Sequence, residues 1–137
     1  MGIQGGDQIL YIEDEPNNRM LVRRILMAEG IAVLEAENAR DGIDMALKDP
    51  PDLILMDIMM PGKDRMDGIA AAATIRDEYD IPVIFITAYG GEQVIERAKN
   101  VDPYVFIVKP FQEHELKATI EFALYRMKLE RQLRESE

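Results

Sequence analysis

A doubly wound parallel α/β domain is the fold this sequence predicts, on three observations. Five short runs rich in β-branched and aliphatic residues recur, at 9–12, 31–34, 53–56, 83–86 and 104–108. Their hydrophobicity is near-continuous rather than alternating, as in strands buried on both faces of a parallel sheet. Segments with helical spacing separate them, and 137 residues suit one compact domain better than two.

Each element has its own local reason. The first run ends in Glu13-Asp14-Glu15, and Pro16 then opens a helix at a position where its missing N–H costs nothing. Leu21, Ile25 and Ala28 fall on one face of that helix, and Gly30 closes it. After the second run, Ala39, Ile43 and Leu47 define a second helix; Pro50-Pro51 then punctuates the chain before the third run. Ile69, Ala72, Ala73 and Arg76 mark a third helix, and Pro82 precedes the fourth run. Val94, Ile95 and Ala98 mark a short fourth helix, and a longer fifth runs from about Gln112 towards the C-terminus. Right-handed crossovers then place helices on both faces of the sheet. The expected strand order is 2-1-3-4-5, the flavodoxin-like arrangement, with ligands beyond the carboxyl ends of the strands near the switch point between strands 1 and 3.

Composition narrows the function classes. No apolar run approaches the roughly 18–20 residues that span a bilayer, and residues 1–6 read as a flexible lead with no signal-peptide features. A cytoplasmic protein is the default expectation. The absence of cysteine excludes disulfides and thiolate metal sites. A formal charge of −10 opposes direct binding to nucleic acid, because phosphate-backbone affinity comes from Lys and Arg.

The residues that follow the apolar runs carry the chemistry. Glu13 and Asp14 end the first strand, Asp57 the third, Thr87 the fourth and Lys109 the fifth. Any one of these alone is an ordinary cap or turn residue. Glu35, after the second strand, lies away from the switch point and reads as surface. The fold, however, brings strands 1, 3, 4 and 5 side by side, so three acids, a hydroxyl and an ammonium gather on one edge. Crowded carboxylates repel and raise one another's pKa unless a cation intervenes. Mg²⁺, with Mn²⁺ as a substitute, suits a site built of carboxylates, waters and a phosphate, and the absence of nearby His or Cys disfavours zinc. A carboxylate flanked by such a cation and a fixed ammonium is a candidate phosphoryl acceptor, since phosphoryl transfer needs in-line positioning and cancellation of charge on the equatorial oxygens.

The segments Ile9-Leu10-Tyr11-Ile12-Glu13-Asp14-Glu15, Asp52-Leu53-Ile54-Leu55-Met56-Asp57-Ile58-Met59-Met60-Pro61-Gly62, Phe85-Ile86-Thr87-Ala88 and Val108-Lys109-Pro110-Phe111 resemble the receiver domain of two-component response regulators. The resemblance covers roughly residues 7–127 in matching order and spacing. It implies Glu13 and Asp14 as the metal-binding acid pair, Asp57 as phosphoacceptor and metal ligand, and the Met59 backbone carbonyl as a further ligand. It also implies Thr87 and Lys109 as phosphoryl-contacting residues, Phe106 with Thr87 as the switch pair, and a cis Lys109–Pro110 bond. The implied partner is a sensor histidine kinase or phosphotransfer protein, with no separate substrate turned over. A non-phosphorylated pseudo-receiver serving as a docking or dimerisation module is the alternative. An aspartyl phosphatase is disfavoured because Glu13-Asp14-Glu15 is not its Asp-x-Asp pair. A flavodoxin is disfavoured because no Ser/Thr-rich loop follows the first strand.

Two features depart from the family pattern. Lys63-Asp64-Arg65 lengthens the loop after Pro61-Gly62 by three residues, which the simplest reading takes as a tolerated surface insertion. The last helix also continues past the domain, with residues 128–137 expected as a helical linker or coiled-coil extension. Leu116, Ile120, Ala123 and Met127 form the stripe expected to cover the sheet, while Phe122, Tyr125, Leu129 and Leu133 form a second one. That second stripe, or the face of the fourth helix, fifth strand and fifth helix, is the candidate homodimer surface. The charged ending resembles linkers preceding sensor domains such as PAS domains, which suggests a multidomain signalling protein. His114 reads as a solvated helix residue.

Overall fold

The computed structural model describes residues 7–57, 68–88 and 105–136. Strands β1 (Gln8–Ile12), β2 (Ala32–Ala36), β3 (Leu53–Asp57), β4 (Val83–Ala88) and β5 (Val105–Lys109) form one sheet in the order β2-β1-β3-β4-β5. Every neighbouring pair is parallel. Four helices are described: α1 (Pro16–Met27), α2 (Ala39–Lys48), α3 (Gly68–Tyr79) and the C-terminal α4 (Glu113–Ser136). The flavodoxin-like doubly wound fold is therefore as expected. The short helix expected around Val94–Ala98, the lead at 1–6 and the Lys63-Asp64-Arg65 insertion lie outside the described residues.

Two cores sandwich the sheet. On one face Ile9, Tyr11, Leu53, Leu55, Ile84 and Ile107 meet α1 and α4; on the other Leu10, Ile12, Ile54, Met56 and Phe85 meet α2 and α3. This alternation explains the continuous apolar runs: successive side chains point to opposite, equally buried faces. Glu15 caps α1, its carboxylate accepting from the backbone N–H of Asn17, and Asn38 caps α2 through the N–H of Asp41.

Three helix faces differ from expectation. In α1 the buried residues are Val22, Ile25 and Leu26, while Leu21 is 53% exposed and Ala28 lies at the surface. Leu21 and Val22 are adjacent and both apolar, so only docking on the sheet chooses between them. In α2 the buried face is Ala39, Gly42 and Ala46, with Leu47 exposed. There the helix backbone closes on Ile12, and a Cβ at Gly42 would lie 2.7 Å from Ile12 Cγ1. In α3 the buried residues among those described are Ala72 and Ile75. The C-terminal helix behaves as expected: Leu116, Ile120, Ala123 and Met127 are buried and Phe122, Tyr125, Leu129 and Leu133 exposed. It runs unbroken through the expected boundary at 127–128.

Candidate functional site

Sheet register assembles the site. Asp57, the last residue of β3, pairs with Ile86, so Thr87 stands one residue further along β4; Lys109, ending β5, pairs with Ala88. Glu13 directly follows β1, its N–H donating to the Ala36 carbonyl at 2.9 Å. These three strand ends bring Glu13, Asp57 and Lys109 into contact. Lys109 Nζ donates to Asp57 Oδ2 at 2.6 Å and to Glu13 Oε1 at 2.9 Å. Both carboxylates are buried, Glu13 at 1% and Asp57 at 5% exposure.

Burying two carboxylates side by side is costly, and the ammonium between them offsets part of that cost. Glu13 still has its pKa raised to about 7, by burial first and then by contact with Asp57, against the pull of Lys109 and Asn18. Burial alone would lower Lys109, but its hydrogen bonds to Asp57 and Glu13 outweigh this and hold its pKa above the ordinary value.

Three contributors were not legible in the sequence. Asn18, in the first turn of α1, donates its side-chain amide to Glu13 Oε1, and Arg19 donates to the Glu13 carbonyl at 2.6 Å. Tyr11 is fully buried, and among the described residues its hydroxyl finds no hydrogen-bond partner. Burial, then the negative charges of Glu13 and Asp57, push its phenol well above the ordinary range. The only signal for Asn18 and Arg19 was their place in the helix turn after the acid cluster. Glu35 is also more than ordinary surface, since Arg23 donates to it at 3.0 Å and Arg19 lies 3.8 Å away.

The donor set suits a hard cation. Glu13 Oε2 is buried and finds no hydrogen-bond partner among the described residues, and one or two carboxylates completed by water suffice for Mg²⁺. Asp14 lies exposed at the rim, and among the described residues no three acidic, His or Cys side chains form a ready cage. Met59, whose carbonyl is the expected further ligand, lies outside the described residues, as do the side chains of Thr87 and Phe106. The Lys109–Pro110 bond is cis, as expected. A half-open cleft of about 400 Å³ adjoins Lys109, with Leu21, Val22, Pro110 and Phe111 on its walls.

The chain matches the response regulator receiver domain family over residues 9–121; it belongs to that family. It is 34% identical over 122 residues to the transcriptional regulatory protein PdtaR of Mycobacterium tuberculosis, covering 88% of this chain and 58% of that protein. It is 32% identical to sporulation initiation phosphotransferase F of Bacillus subtilis, covering 83% of this chain and 90% of that protein. The signal receiver domain of a modulated diguanylate cyclase from Desulfovibrio desulfuricans superposes with a TM-score of 0.81 at 32% identity, covering 90% of this chain and 97% of that one. NtrX from Brucella abortus superposes at 0.87 and 31% identity, covering 95% and 30%. The chain thus spans about half the length of several curated relatives. Among the described residues no helix is long and apolar enough to cross a membrane.

Proposed function

We propose that this receiver domain accepts a phosphoryl group on Asp57 from a histidine kinase or phosphotransfer protein and thereby switches a partner or output module. The observation that carries the reading is the contact of Lys109 Nζ with the buried carboxylate of Asp57. A carboxylate oxygen of Asp57 attacks the donor phosphorus, the donor's bond to phosphorus breaks, and an aspartyl phosphate forms. Water later attacks that phosphorus, releasing inorganic phosphate and restoring the carboxylate. No separate substrate is turned over.

Lys109 is the proposed partner for the charge that develops on a phosphoryl oxygen, and Thr87 at the end of β4 is the candidate donor to another. Glu13, Asp14, Asp57 and the Met59 carbonyl are the residues proposed to hold Mg²⁺ or Mn²⁺. The ion would neutralise phosphoryl charge. Thr87 moving towards the phosphoryl group, with Phe106 turning into the space it leaves, is the proposed switch. The cleft beside Lys109 gives the donor an apolar foothold next to the acceptor. Because no basic domain lies in this chain, direct nucleic-acid binding is not part of the proposal; a cytoplasmic location is.

The test is adduct formation with Mg²⁺ and beryllofluoride or acetyl phosphate, read by mass or by ¹⁹F resonance. The expected result is a one-to-one adduct that Asp57→Asn abolishes. No adduct on the folded wild type would overturn the reading in favour of a pseudo-receiver that only docks.

A further inference from the structure

The first turn of α1 grips Glu13 at two points. The carboxylate oxygen Oε1 accepts from the side-chain amide of Asn18 as well as from Lys109 Nζ. The main-chain carbonyl accepts from Arg19 Nη1 at 2.6 Å, while the N–H donates to the Ala36 carbonyl at 2.9 Å. Asn18 and Arg19 are both half-buried. The Arg19 guanidinium also faces two acids, with Nε 3.8 Å from Glu35 and Nη2 3.8 Å from Glu37. Glu35, near the end of β2, is itself held by Arg23 at 3.0 Å.

The two grips constrain different things. A glutamate side chain has three rotatable bonds, and ordering it costs on the order of 1–2 kcal/mol. A carboxylate held by one ammonium can still pivot about that contact. The amide of Asn18, anchored in a helix, removes this freedom before any ligand arrives. It also stays in place when the Lys109 ammonium turns to a phosphoryl oxygen, as the proposed chemistry requires. Arg19 acts on the backbone instead. The Glu13 carbonyl belongs to the planar peptide that joins Glu13 to Asp14, so fixing the carbonyl fixes that plane. The plane sends Glu13 inward, where it is buried, and Asp14 outward to the rim. A planar, forked guanidinium can face the carbonyl and the Glu35 carboxylate together; the point charge of a lysine cannot.

We propose that Asn18 and Arg19 are positioning residues for a divalent cation at Glu13 and Asp14. Asn18 sets the Glu13 carboxylate, and Arg19, braced by Glu35, sets the peptide between the two acids. The inference rests on the reading of those acids as cation ligands, and both residues act through the acids rather than on the phosphoryl group. Groups that orient metal ligands typically change affinity by about tenfold or more. For Arg19, simple electrostatics has the opposite sign. A positive charge beside a cation site repels the cation, so removing it would tighten binding; loss of positioning weakens it.

The test is calorimetric titration of the full chain with Mg²⁺, with urea unfolding of each variant to show that it is folded. Asn18→Ala should weaken Mg²⁺ binding about tenfold. The Mg²⁺ concentration for half-maximal acetyl-phosphate labelling should rise by the same factor, and saturating Mg²⁺ should recover the labelling. Arg19→Met should also weaken binding although it removes a positive charge, and Arg19→Lys, which keeps the charge, should not rescue it. In a Glu13→Asp background the shortened carboxylate no longer reaches the amide, so Asn18→Ala should have no further effect. Unchanged affinity in folded Asn18→Ala overturns the proposal. So does unchanged or tighter binding in Arg19→Met, or a full further loss from Asn18→Ala in the Glu13→Asp background. A wild type that binds no Mg²⁺ and forms no adduct overturns the phosphoacceptor reading along with it. A wild type that does both, beside an Asn18→Ala variant that binds as tightly, overturns this inference alone.

Discussion

Lys109 Nζ stands 2.6 Å from Asp57 Oδ2, and the same nitrogen bridges to Glu13 at 2.9 Å. One ammonium thus holds together the ends of three strands, β1, β3 and β5, at the point where a phosphoryl group would arrive. The bond between β5 and β3 passes over β4, so the side chain of Lys109 reaches across the width of a strand. Its aliphatic stem and its charge both serve the arrangement.

Removing that ammonium should uncouple chemistry from folding in a measurable way. Lys109→Ala leaves two buried carboxylates facing each other, and should destabilise the metal-free domain by about 1–2 kcal/mol, less than a fully buried pair because Lys109 is partly exposed. Saturating Mg²⁺ should recover part of this loss by supplying positive charge at the same place. Phosphoryl transfer to Asp57 should slow by about tenfold or more in either case. Urea titrations with and without Mg²⁺, alongside acetyl-phosphate labelling, check both outcomes.

On the proposed reading, Glu13 should make cation binding depend on pH. Its folded-state pKa is raised to about 7 from 4.5, so the metal-free folded domain binds more protons than the unfolded chain between those values. Stability of the metal-free domain should therefore fall as pH rises through that window. Mg²⁺ must displace the proton, so its affinity should rise with pH up to about 7 and then level off. Calorimetric Mg²⁺ titrations in buffers of different ionisation enthalpy would show the released proton. Glu13→Gln should flatten the pH dependence.

Tyr11→Phe should cost nothing. The hydroxyl is buried without a partner among the described residues, and a buried donor left unsatisfied carries a desolvation penalty of about 1–3 kcal/mol. Deleting only that oxygen should leave stability unchanged or raise it by up to about 1 kcal/mol. A loss of more than that in thermal or urea unfolding would mean the phenol has a polar partner in solution.

Gly42→Ala sets two effects against each other. Alanine favours the helix by about 1 kcal/mol, but its methyl group would press on Ile12, and overpacking costs about 1–3 kcal/mol. The clash should win, lowering the melting temperature. Shortening the neighbour with Ile12→Val should restore most of the difference, and Gly42→Val should be worse than Gly42→Ala. Thermal melts of the wild type and these three variants would decide it.

The sheet and its order were legible because buried parallel strands need apolar residues on both faces, which leaves runs such as 53–56 and 83–86 nearly free of polar residues. Glu13, Asp57 and Lys109 could be picked out because each interrupts the chain at the end of such a run. Helix faces were less legible. Leu21 and Val22 offer equivalent apolar side chains, and a periodicity written in one helix cannot say which of two neighbours meets the sheet. Asn18 and Tyr11 were illegible for a related reason: amides and phenols serve equally well on surfaces, and only their distance from Glu13 gives them meaning.

What the sequence determined by itself was therefore the fold, the family resemblance and the set of strand-end groups, since all three are written in local pattern and order. What only tertiary structure decided was contact: that Glu13 is the buried acid and Asp14 the exposed one, that Lys109 joins two carboxylates, and that Arg131 and Arg134 tie the last helix to Asp80. Adjacent residues of similar chemistry are separated by the direction their side chains take. That direction is set by register and docking, which depend on residues far away in the chain.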